Sequence, residues 1–540
     1  MTDTLTAARR GMTPESPAGV RKAPTGIQGL DEVTGGGLPR GRTTLIAGGA
    51  GSGKTLLAIQ FLVHGARDYG EPGVLLAFEE SEADLAANVA SLGFDLDKMQ
   101  ADGLLALDAV HLDPATFIET GEYDLEGLFL RLGLAVDAVG AKRVVLDSVE
   151  VLFGSLDPVA VRSELTRLFA WLKERDLTAI VTGEKGDGAL TRHGIEEYVS
   201  DCVITLDHRV HDQISTRRLR VVKYRGSLHG TNEFPFVITE SGIIVLPVTS
   251  AHLDHEAPVE RILTGVPRLD HMLGGGIYRG SSVLISGEPG TGKTALAAKM
   301  LEAACARGER CLFVSLEESP AQLTRNMASL GIDLKRWVDA GLLRVWAVRP
   351  TAYGLEMRLV AFLRQVEEFD PSTVALDSRA SLYHSNGRIN DVTSFVIRQI
   401  DHLKSSGITA IMTSLIDAGE RDTSRVFSMM DTWLSIRSVQ TNGEQYRLLS
   451  VRKSRGTSHS NEVREFVLSD TGFDLLDVAV GANGAMVGSA RLAVEGEEAA
   501  MGTHRGADED PAGAAYAGRA VAGDTENEEE APAWARPTNR

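Results

Sequence analysis

The chain has 540 residues, 43% hydrophobic and 24% charged, which suits either two large domains or three to four ordinary ones. With 74 acidic against 55 basic side chains its net charge is −19, which argues against a protein that lives on nucleic-acid phosphates or on anionic membranes. The first nineteen residues lack the apolar core of a secretory signal and no stretch reaches the ~20 apolar residues of a membrane span, so a cytoplasmic protein is expected.

Residues 1–20 read as a disordered tail. Gly26-Ile-Gln-Gly-Leu-Asp31 then leads into a glycine run, Gly35 to Gly37, and a buried strand, Thr43–Ala47. Gly48-Gly-Ala-Gly-Ser-Gly53-Lys54-Thr55 follows that strand and opens a helix. Further strands are expected at Val74–Phe78, ending on Glu79-Glu80, at Arg143–Leu146, ending on Asp147-Ser148, and at Ala179–Thr182. Between the last two, Arg162–Glu174 carries Leu165, Leu168, Phe169 and Leu172 at helical spacing. Arg217-Arg218-x-Arg220 reads as an interface strip, followed by Lys223-Tyr224-Arg225-Gly226.

The pattern then begins again. Gly265-Val-Pro-Arg-Leu-Asp270 repeats Gly26 to Asp31 at a spacing of 239 residues, and Lys293 repeats Lys54 at the same spacing. Glu317-Glu318, Asp377-Ser378, Lys453-x-Arg455-Gly456 and Asn461-Glu462 return in the order of their first-copy partners. A period near 240 is too long for a solenoid, so the chain holds two tandem copies of one domain, 21–250 and 251–480. Strand–helix alternation predicts an α/β fold in each, a mainly parallel sheet with helices on both faces. Residues 481–540 carry eleven acidic and five basic side chains among Ala and Gly, and read as a disordered acidic tail. Cys202, Cys305 and Cys311 fit buried small hydrophobes, and His252 and His255 fit surface residues of the linker.

Both glycine-rich octamers, Gly48–Thr55 and Gly287-Glu-Pro-Gly290-Thr291-Gly292-Lys293-Thr294, have the strand-to-helix setting of a phosphate-binding loop. Their backbone amides would cradle phosphates, Lys54 and Lys293 would offset β/γ-phosphate charge, and Thr55 and Thr294 would ligand Mg²⁺. Glu79-Glu80 and Glu317-Glu318 end strands 25 and 24 residues after the loop lysines, where a carboxylate can act as general base; alone, such a pair is a solvated strand end or a helix cap. Asp147 and Asp377 end buried strands as magnesium-binding aspartates do. Lys223/Arg225 and Lys453/Arg455 each put two cations on one side of a strand, a solvated edge or a reach toward a neighbour's phosphate.

These residues resemble the RecA-like ATPases and, within them, the tandem-domain KaiC family of circadian clock proteins, over roughly residues 21–475. Further matches are Arg225-Gly226-Ser227-x-His229, Arg455-Gly456-Thr457-x-His459 and Arg464-Glu465-Phe466. The resemblance implies a double-ring homohexamer with ATP and Mg²⁺ between subunits, a slow ATPase in the first ring and a serine/threonine autokinase in the second. By position it makes Glu79, Glu80, Glu317 and Glu318 the catalytic carboxylates and adds Glu317 to the metal ligands. It assigns first-domain ATP contacts to Gly48, Gly51, Ser52, Gly53, Lys54, Thr55, Leu56, Ser91, Asp147, Lys223, Tyr224, Arg225, Ser227 and His229. The second-domain contacts are Gly287, Gly290, Thr291, Gly292, Lys293, Thr294, Asp377, Arg447, Lys453, Ser454, Arg455, Thr457 and His459. The family's Ser-Thr acceptor pair falls on Phe427-Ser428, which leaves Ser428 as phosphoacceptor. Partners would be the chain itself and signalling or clock-type proteins, with nucleic acid and membrane not expected. Two other readings share the fold: a recombinase or helicase-type DNA-dependent ATPase, which would need basic DNA loops that Ser378–Ser385 with one arginine does not supply, and an ATP-switched scaffold without kinase activity.

Overall fold

The computed structural model describes residues 19–486 apart from 111–125, 154–157, 187–198, 212–213, 248–256, 350–353, 379–388, 416–423, 442–443, 471, 477–478 and 482–483. Two nine-stranded sheets dominate it. In the first, six parallel strands run Leu105–Ala109, Gly73–Ala77, Arg143–Asp147, Thr178–Glu184, Thr43–Gly48 and Cys202–His211 from one edge inward. An antiparallel meander, Ile214–Tyr224, Glu233–Thr239 and Gly242–Val245, completes it. The second sheet repeats that order: Leu343–Ala347, Cys311–Ser315, Thr373–Asp377, Thr409–Leu415, Ser282–Gly287 and Thr432–Thr441, then Glu444–Ser454, Val463–Ser469 and Gly472–Leu476. Two tandem RecA-like domains are thus present, and the four strands expected of the first copy lie within a residue or two of their observed ends.

Central strands covered on both faces must be apolar throughout, and Leu45, Ile46, Val144, Val145, Leu284 and Ile285 are all fully buried. The helix Lys54–Tyr69 that leaves the first central strand buries Leu57, Ala58, Ile59, Phe61, Leu62 and Val63 against the sheet. Asp31 and Asp270 explain the repeated opening motif: Asp31 accepts from Thr25 N and Thr25 Oγ1 at 2.8 and 2.7 Å, and Asp270 accepts from Thr264 N and Oγ1 at 2.7 and 2.8 Å. The end of each glycine run also has a steric cause. A Cβ on Gly37 would lie 2.1 Å from the Ala23 carbonyl oxygen, and one on Gly276 would lie 2.3 Å from that of Ile262.

All three cysteines are buried and unbridged, and burial pushes the Cys202 thiol up to about 12. The basic strip 217–220 meets the second domain, since Arg218 Nη2 pairs with Glu356 Oε1 at 3.0 Å. Leu246 is buried with Leu359 and Phe362 of the second domain. Beyond Asp477, an antiparallel hairpin joins Ala479–Gly481 to Gly484–Met486. It extends past residue 480 into the span expected to be disordered. The remainder of both tails, His252 and His255 lie outside the described residues, as does the segment after Ser378.

Candidate functional site

Each phosphate loop leaves the C-terminal end of its central strand and enters a helix whose first residue is the loop lysine. Gly53 and Gly292 precede those helices at φ 101° and 94°, with Gly51 and Gly290 at 69° and 76°, left-handed values that favour glycine. That curl turns the loop amides toward one point at a helix N-terminus, where an anion is favoured. Lys54 Nζ donates to the Gly48 and Gly49 carbonyls at 2.9 and 3.2 Å, and Lys293 Nζ donates to Glu288 O at 2.7 Å. Both ammonium groups therefore lie over the cradle. Burial lowers the Lys293 pKa, a cost that a phosphate would offset. In the first loop the buried Ser52 Oγ has no hydrogen-bond partner among the described residues, while its counterpart Thr291 donates to Glu288 O at 2.8 Å. An open cavity of about 270 Å³ faces the first loop, lined by Ser52, Lys54, Thr55, Leu56, Glu80 and Asn88. Ser91 caps the helix Glu82–Ala90, beside the cavity-lining Leu92.

The acids gather at the same edge. Glu79 Oε1 accepts from Ser148 Oγ at 3.1 Å, Glu80 Oε2 from Asn88 Nδ2 at 3.0 Å, and Glu318 Oε2 from Asn326 Nδ2 at 3.2 Å. Glu317 lies in the electrostatic field of Lys293 and Asp377. Asp147 accepts from the Thr182 hydroxyl, and Asp377 accepts from the Thr413 hydroxyl and from Thr294 Oγ1 at 2.9 Å. Burial pushes the Asp377 carboxyl up against the opposing pull of those hydroxyls and Lys293. A hydroxyl and a carboxylate meeting beside a phosphate cradle are the hard oxygen donors that fit Mg²⁺. Among the described residues no three His, Cys, Asp or Glu side chains form a closed metal cage, as suits an ion whose remaining ligands are waters and substrate phosphates.

The remaining candidates lie at the opposite edge of each sheet. Lys223 pairs in register with Val203, which is level with Leu45 near the start of the central strand. Lys453 pairs with Trp433, level with Leu284. Leu45 and Leu284 lie three residues before the strand ends Gly48 and Gly287, so at ~3.3 Å per residue these cations are about 10 Å back along the strand direction from the phosphate loop of the same chain. Lys453 Nζ and Arg455 Nη2 both donate to the Ser428 carbonyl, at 2.9 and 2.6 Å, so the candidate acceptor sits among these cations. Arg225 pairs with Asp201 at 3.8 Å, and Ser454 Oγ lies 3.5 Å from Thr432 Oγ1. The Tyr224 side chain is buried, its hydroxyl donating to Gly37 O at 3.0 Å, so its main chain is the part that could meet a nucleotide. His229 stacks on Tyr224, its buried Nδ1 without a hydrogen-bond partner among the described residues, and His459 Nδ1 lies 3.2 Å from Ser460 O. Arg447 differs from this group: it pairs with Ser438, beyond Ile436 and Gly287, at the phosphate-loop edge.

Four positions escaped the sequence reading. Lys22 Nζ donates to Thr34 O and Ser227 Oγ at 2.8 and 2.7 Å, and Arg261 donates to Gly276 O at 2.9 Å and Thr457 Oγ1 at 2.8 Å, each tying the glycine run to the loop after Arg225 or Arg455. These two are 239 apart, the spacing of the loop lysines, and that register could have found them. Asn88 and Asn326 share the 238 spacing of Glu79 and Glu317.

A family model described as "ATPase: KaiC" matches residues 23–250 and again 262–478. Among characterised relatives, the circadian clock protein KaiC2 of Synechocystis sp. is 51% identical over 491 residues, covering 90% of this chain and 86% of the relative. The circadian clock oscillator protein KaiC of Parathermosynechococcus lividus is 38% identical over 466 residues, covering 85% and 86%. The circadian clock oscillator protein KaiC 1 of Synechocystis sp. is 39% identical over 467, covering 85% and 90%.

Proposed function

The chain belongs to the KaiC ATPase family, and from that premise we propose that it forms a cytoplasmic double-ring homohexamer that hydrolyses ATP in both rings and phosphorylates Ser428 in the second. The names of its relatives favour a role in circadian-type timing or bacterial signalling, with clock-type or signalling proteins as partners. No described helix is long and apolar enough to cross a membrane. The observation that carries the assembly is the division of each site between two edges. Phosphate loop and acids occupy one edge of a domain while Lys223/Arg225 or Lys453/Arg455 occupy the other, so a complete site requires a neighbouring protomer's opposite edge.

Within such a site the loop amides and Lys54 or Lys293 hold the β- and γ-phosphates. Thr55 with Asp147, and Thr294 with Asp377 and Glu317, would hold Mg²⁺, which when bound neutralises charge on the transferring phosphoryl group. Glu79 or Glu317 takes a proton from the attacking water; the water oxygen bonds to the γ-phosphorus and the bond to the bridging oxygen breaks, leaving ADP and phosphate. The neighbour's lysine and arginine offset charge on the leaving group, as arginine fingers do. In the second ring the neighbour's Ser428 hydroxyl takes the place of water and Glu317 takes its proton, since serine is a poor nucleophile without a base. Phe427 stacks on Trp433 with ring centroids 5.0 Å apart, so its position anchors the segment and the mark is a single one.

Mixing two altered chains tests the reading. A Lys293→Ala chain cannot donate phosphate and a Ser428→Ala chain cannot accept it, so Mg-ATP should phosphorylate Ser428 of the former only when the latter is present. Phosphopeptide mass spectrometry reads this directly. No phosphate at Ser428 in the mixture or in the unaltered protein would leave an ATP-switched scaffold.

A further inference from the structure

The short strand that opens each domain carries a cation, Lys22 in Lys22–Ala23 and Arg261 in Arg261–Ile262. Each strand pairs antiparallel with the residues just after the glycine run, Lys22 opposite Pro39 and Arg261 opposite Tyr278. The cation then bridges two segments that are far apart in sequence. Lys22 Nζ donates to Thr34 O, just before the glycine run, and to Ser227 Oγ, in the loop after Arg225. Arg261 Nη1 donates to Leu273 O and Gly276 O at 3.1 and 2.9 Å, and its Nη2 donates to Thr457 Oγ1, in the loop after Arg455.

A tyrosine ring lies under each cation, where ring and charge attract, but it comes from opposite sides of the bridge in the two domains. Lys22 Nζ sits 3.6 Å from the ring centroid of Tyr224, which precedes Arg225 and donates back to Gly37 O in the glycine run. The Arg261 guanidinium sits 4.2 Å from the centroid of Tyr278, which follows the glycine run and donates across to Gly456 O at 3.2 Å. The matching places in the other domain hold Ser454 and Pro39, neither of which offers an aromatic face. Both domains thus reach one arrangement, a cation on a tyrosine ring spanning glycine run and loop, through different residues. Repetition of sequence does not explain that; a shared requirement does.

We propose that Lys22 and Arg261 are positioning residues of the two nucleotide sites, each clamping the loop after Arg225 or Arg455 to its own domain's glycine run so that the loop meets a neighbour's ATP in one conformation. The inference rests on the reading of these sites as shared between neighbouring chains. Gly226 and Gly456, at φ 76° and 68°, begin the loop with the residue that loses most freedom on ordering, so an unclamped loop samples many conformations. Holding it before ATP arrives spares the binding step that cost. The clamp also sets the polarity of the loop hydroxyl. Ser227 Oγ and Thr457 Oγ1 accept from a cation, which leaves each hydroxyl its own hydrogen to donate, and hydrogen bonds in such a chain strengthen one another. Ser227 gives that hydrogen to Leu228 O at 2.9 Å in the single chain, and an anionic phosphate oxygen is a stronger acceptor.

The test uses the full chain with Lys22→Met and Arg261→Met together, which keep side-chain length and remove the charge. A hydrogen bond from a charged group is worth about tenfold, so the Mg-ATP concentrations for half-maximal hydrolysis and half-maximal hexamer formation should each rise about that much. The kcat at saturating Mg-ATP should stay within about twofold, because phosphate loops and acids are untouched. Lys22→Arg with Arg261→Lys, which exchanges the cations between domains, should bring the requirement back to within about threefold of the unaltered chain. On a Ser227→Ala, Thr457→Ala background the methionine changes should raise it by less than about threefold, since the hydroxyls they hold are gone. A further rise of the full size, a fall in kcat with the requirement unchanged, or no rescue by the exchanged cations would overturn the clamp. Trypsin cleavage of the nucleotide-free chain reads the clamp without assembly. The side chains of Arg225 and Arg455 are half-exposed, and cuts after them should quicken several-fold relative to cuts elsewhere in the methionine chain but not in the exchanged one. Unchanged cutting would overturn the clamp whatever the turnover. Quickened cutting in a protein whose unaltered chain neither assembles nor hydrolyses ATP would instead overturn the shared-site reading.

Discussion

Asp431 accepts from the Ser282 backbone N–H and hydroxyl at 2.9 Å each, pairs with Lys404 at 2.7 Å and lies 3.6 Å from Arg455. Burial alone would push its carboxyl up, but Lys404 and Ser282 outweigh burial and hold it below the usual carboxylate range. A depressed carboxylate stabilises the fold above its unfolded value and loses that contribution as pH falls through its folded one. Asp431→Asn should therefore cost about 1.5–3 kcal/mol at pH 5 to 7, and the gap should close as pH drops below about 4. Urea unfolding at several pH values measures it; a gap unchanged in acid would mean that shape, not charge, holds Asp431. Because Lys453 and Arg455 both grip the carbonyl of Ser428, three residues earlier, the same change should also reduce Ser428 phosphorylation. At the other edge, Lys54→Ala and Lys293→Ala each remove an ammonium that rests on a loop's carbonyls. Each should abolish ATP binding in its own domain and spare the other, seen as one nucleotide lost per chain by equilibrium dialysis. Loss of both nucleotides from either change would show that the sites are not independent.

Between the helix after the first phosphate loop and its sheet lies a fully buried arginine. Arg143 donates to Phe61 O and Pro24 O at 2.8 Å each and pairs with Glu71 at 2.7 Å, its guanidinium over the Phe61 ring. A Cβ on Gly65 would lie 2.4 Å from Arg143 Cδ, so the helix carries glycine where the arginine passes. The second domain has Thr373 and Ala304 at the matching places, a smaller strand residue under a larger helix residue. Propensity alone makes Gly65→Ala stabilising by about 1 kcal/mol; overpacking should instead make it destabilising by roughly 1–3 kcal/mol, while Ala304→Gly costs about 1. Trp171 reports on the first domain in denaturant unfolding, and a stabilised Gly65→Ala chain would refute the steric account. This pair shows what sequence conveys and what it hides. Internal repetition made the two domains, the phosphate loops, the Glu-Glu pairs and the Asp-Ser strand ends legible, because each recurs in the chain. The Gly65–Arg143 exchange does not recur, and its two members are 78 residues apart, so only packing brings them together. The asparagines were hidden for another reason: Asn on an exposed helix turn has no pattern of its own until Glu80 or Glu318 is found beside it. The cations at Lys223 and Lys453 were legible as pairs on a strand, but only the register shows that their edge is opposite to the loops.

Across the whole chain, the two domains share apolar surface, with Leu246 of the first buried against Leu359 and Phe362 of the second and Arg218 bonded to Glu356 nearby. That joint completes no nucleotide site, because each domain keeps its loop toward one edge and its cations toward the other. A single chain thus offers ATP a phosphate cradle without the second set of charges. In the proposed assembly, contacts from Lys223, Arg225, Lys453 and Arg455 to a nucleotide arise only when chains associate, so ATP would bind the ring more tightly than the monomer. Whatever binds one state better shifts the equilibrium toward it: at a hundredfold excess over its dissociation constant, a ligand adds about 2.7 kcal/mol per site. In the proposed double ring, six neighbouring pairs in each ring would multiply that bias, while the net charge of −19 per chain opposes assembly, most strongly at low salt. Sedimentation velocity should therefore show small species without nucleotide and a hexamer with Mg-ATP, the nucleotide needed for assembly falling as salt is raised. Arg225→Ala with Arg455→Ala should keep the monomer folded yet raise that requirement. A chain that stays monomeric at saturating Mg-ATP, or that forms hexamers equally well without it, would remove the basis for a site shared between neighbours.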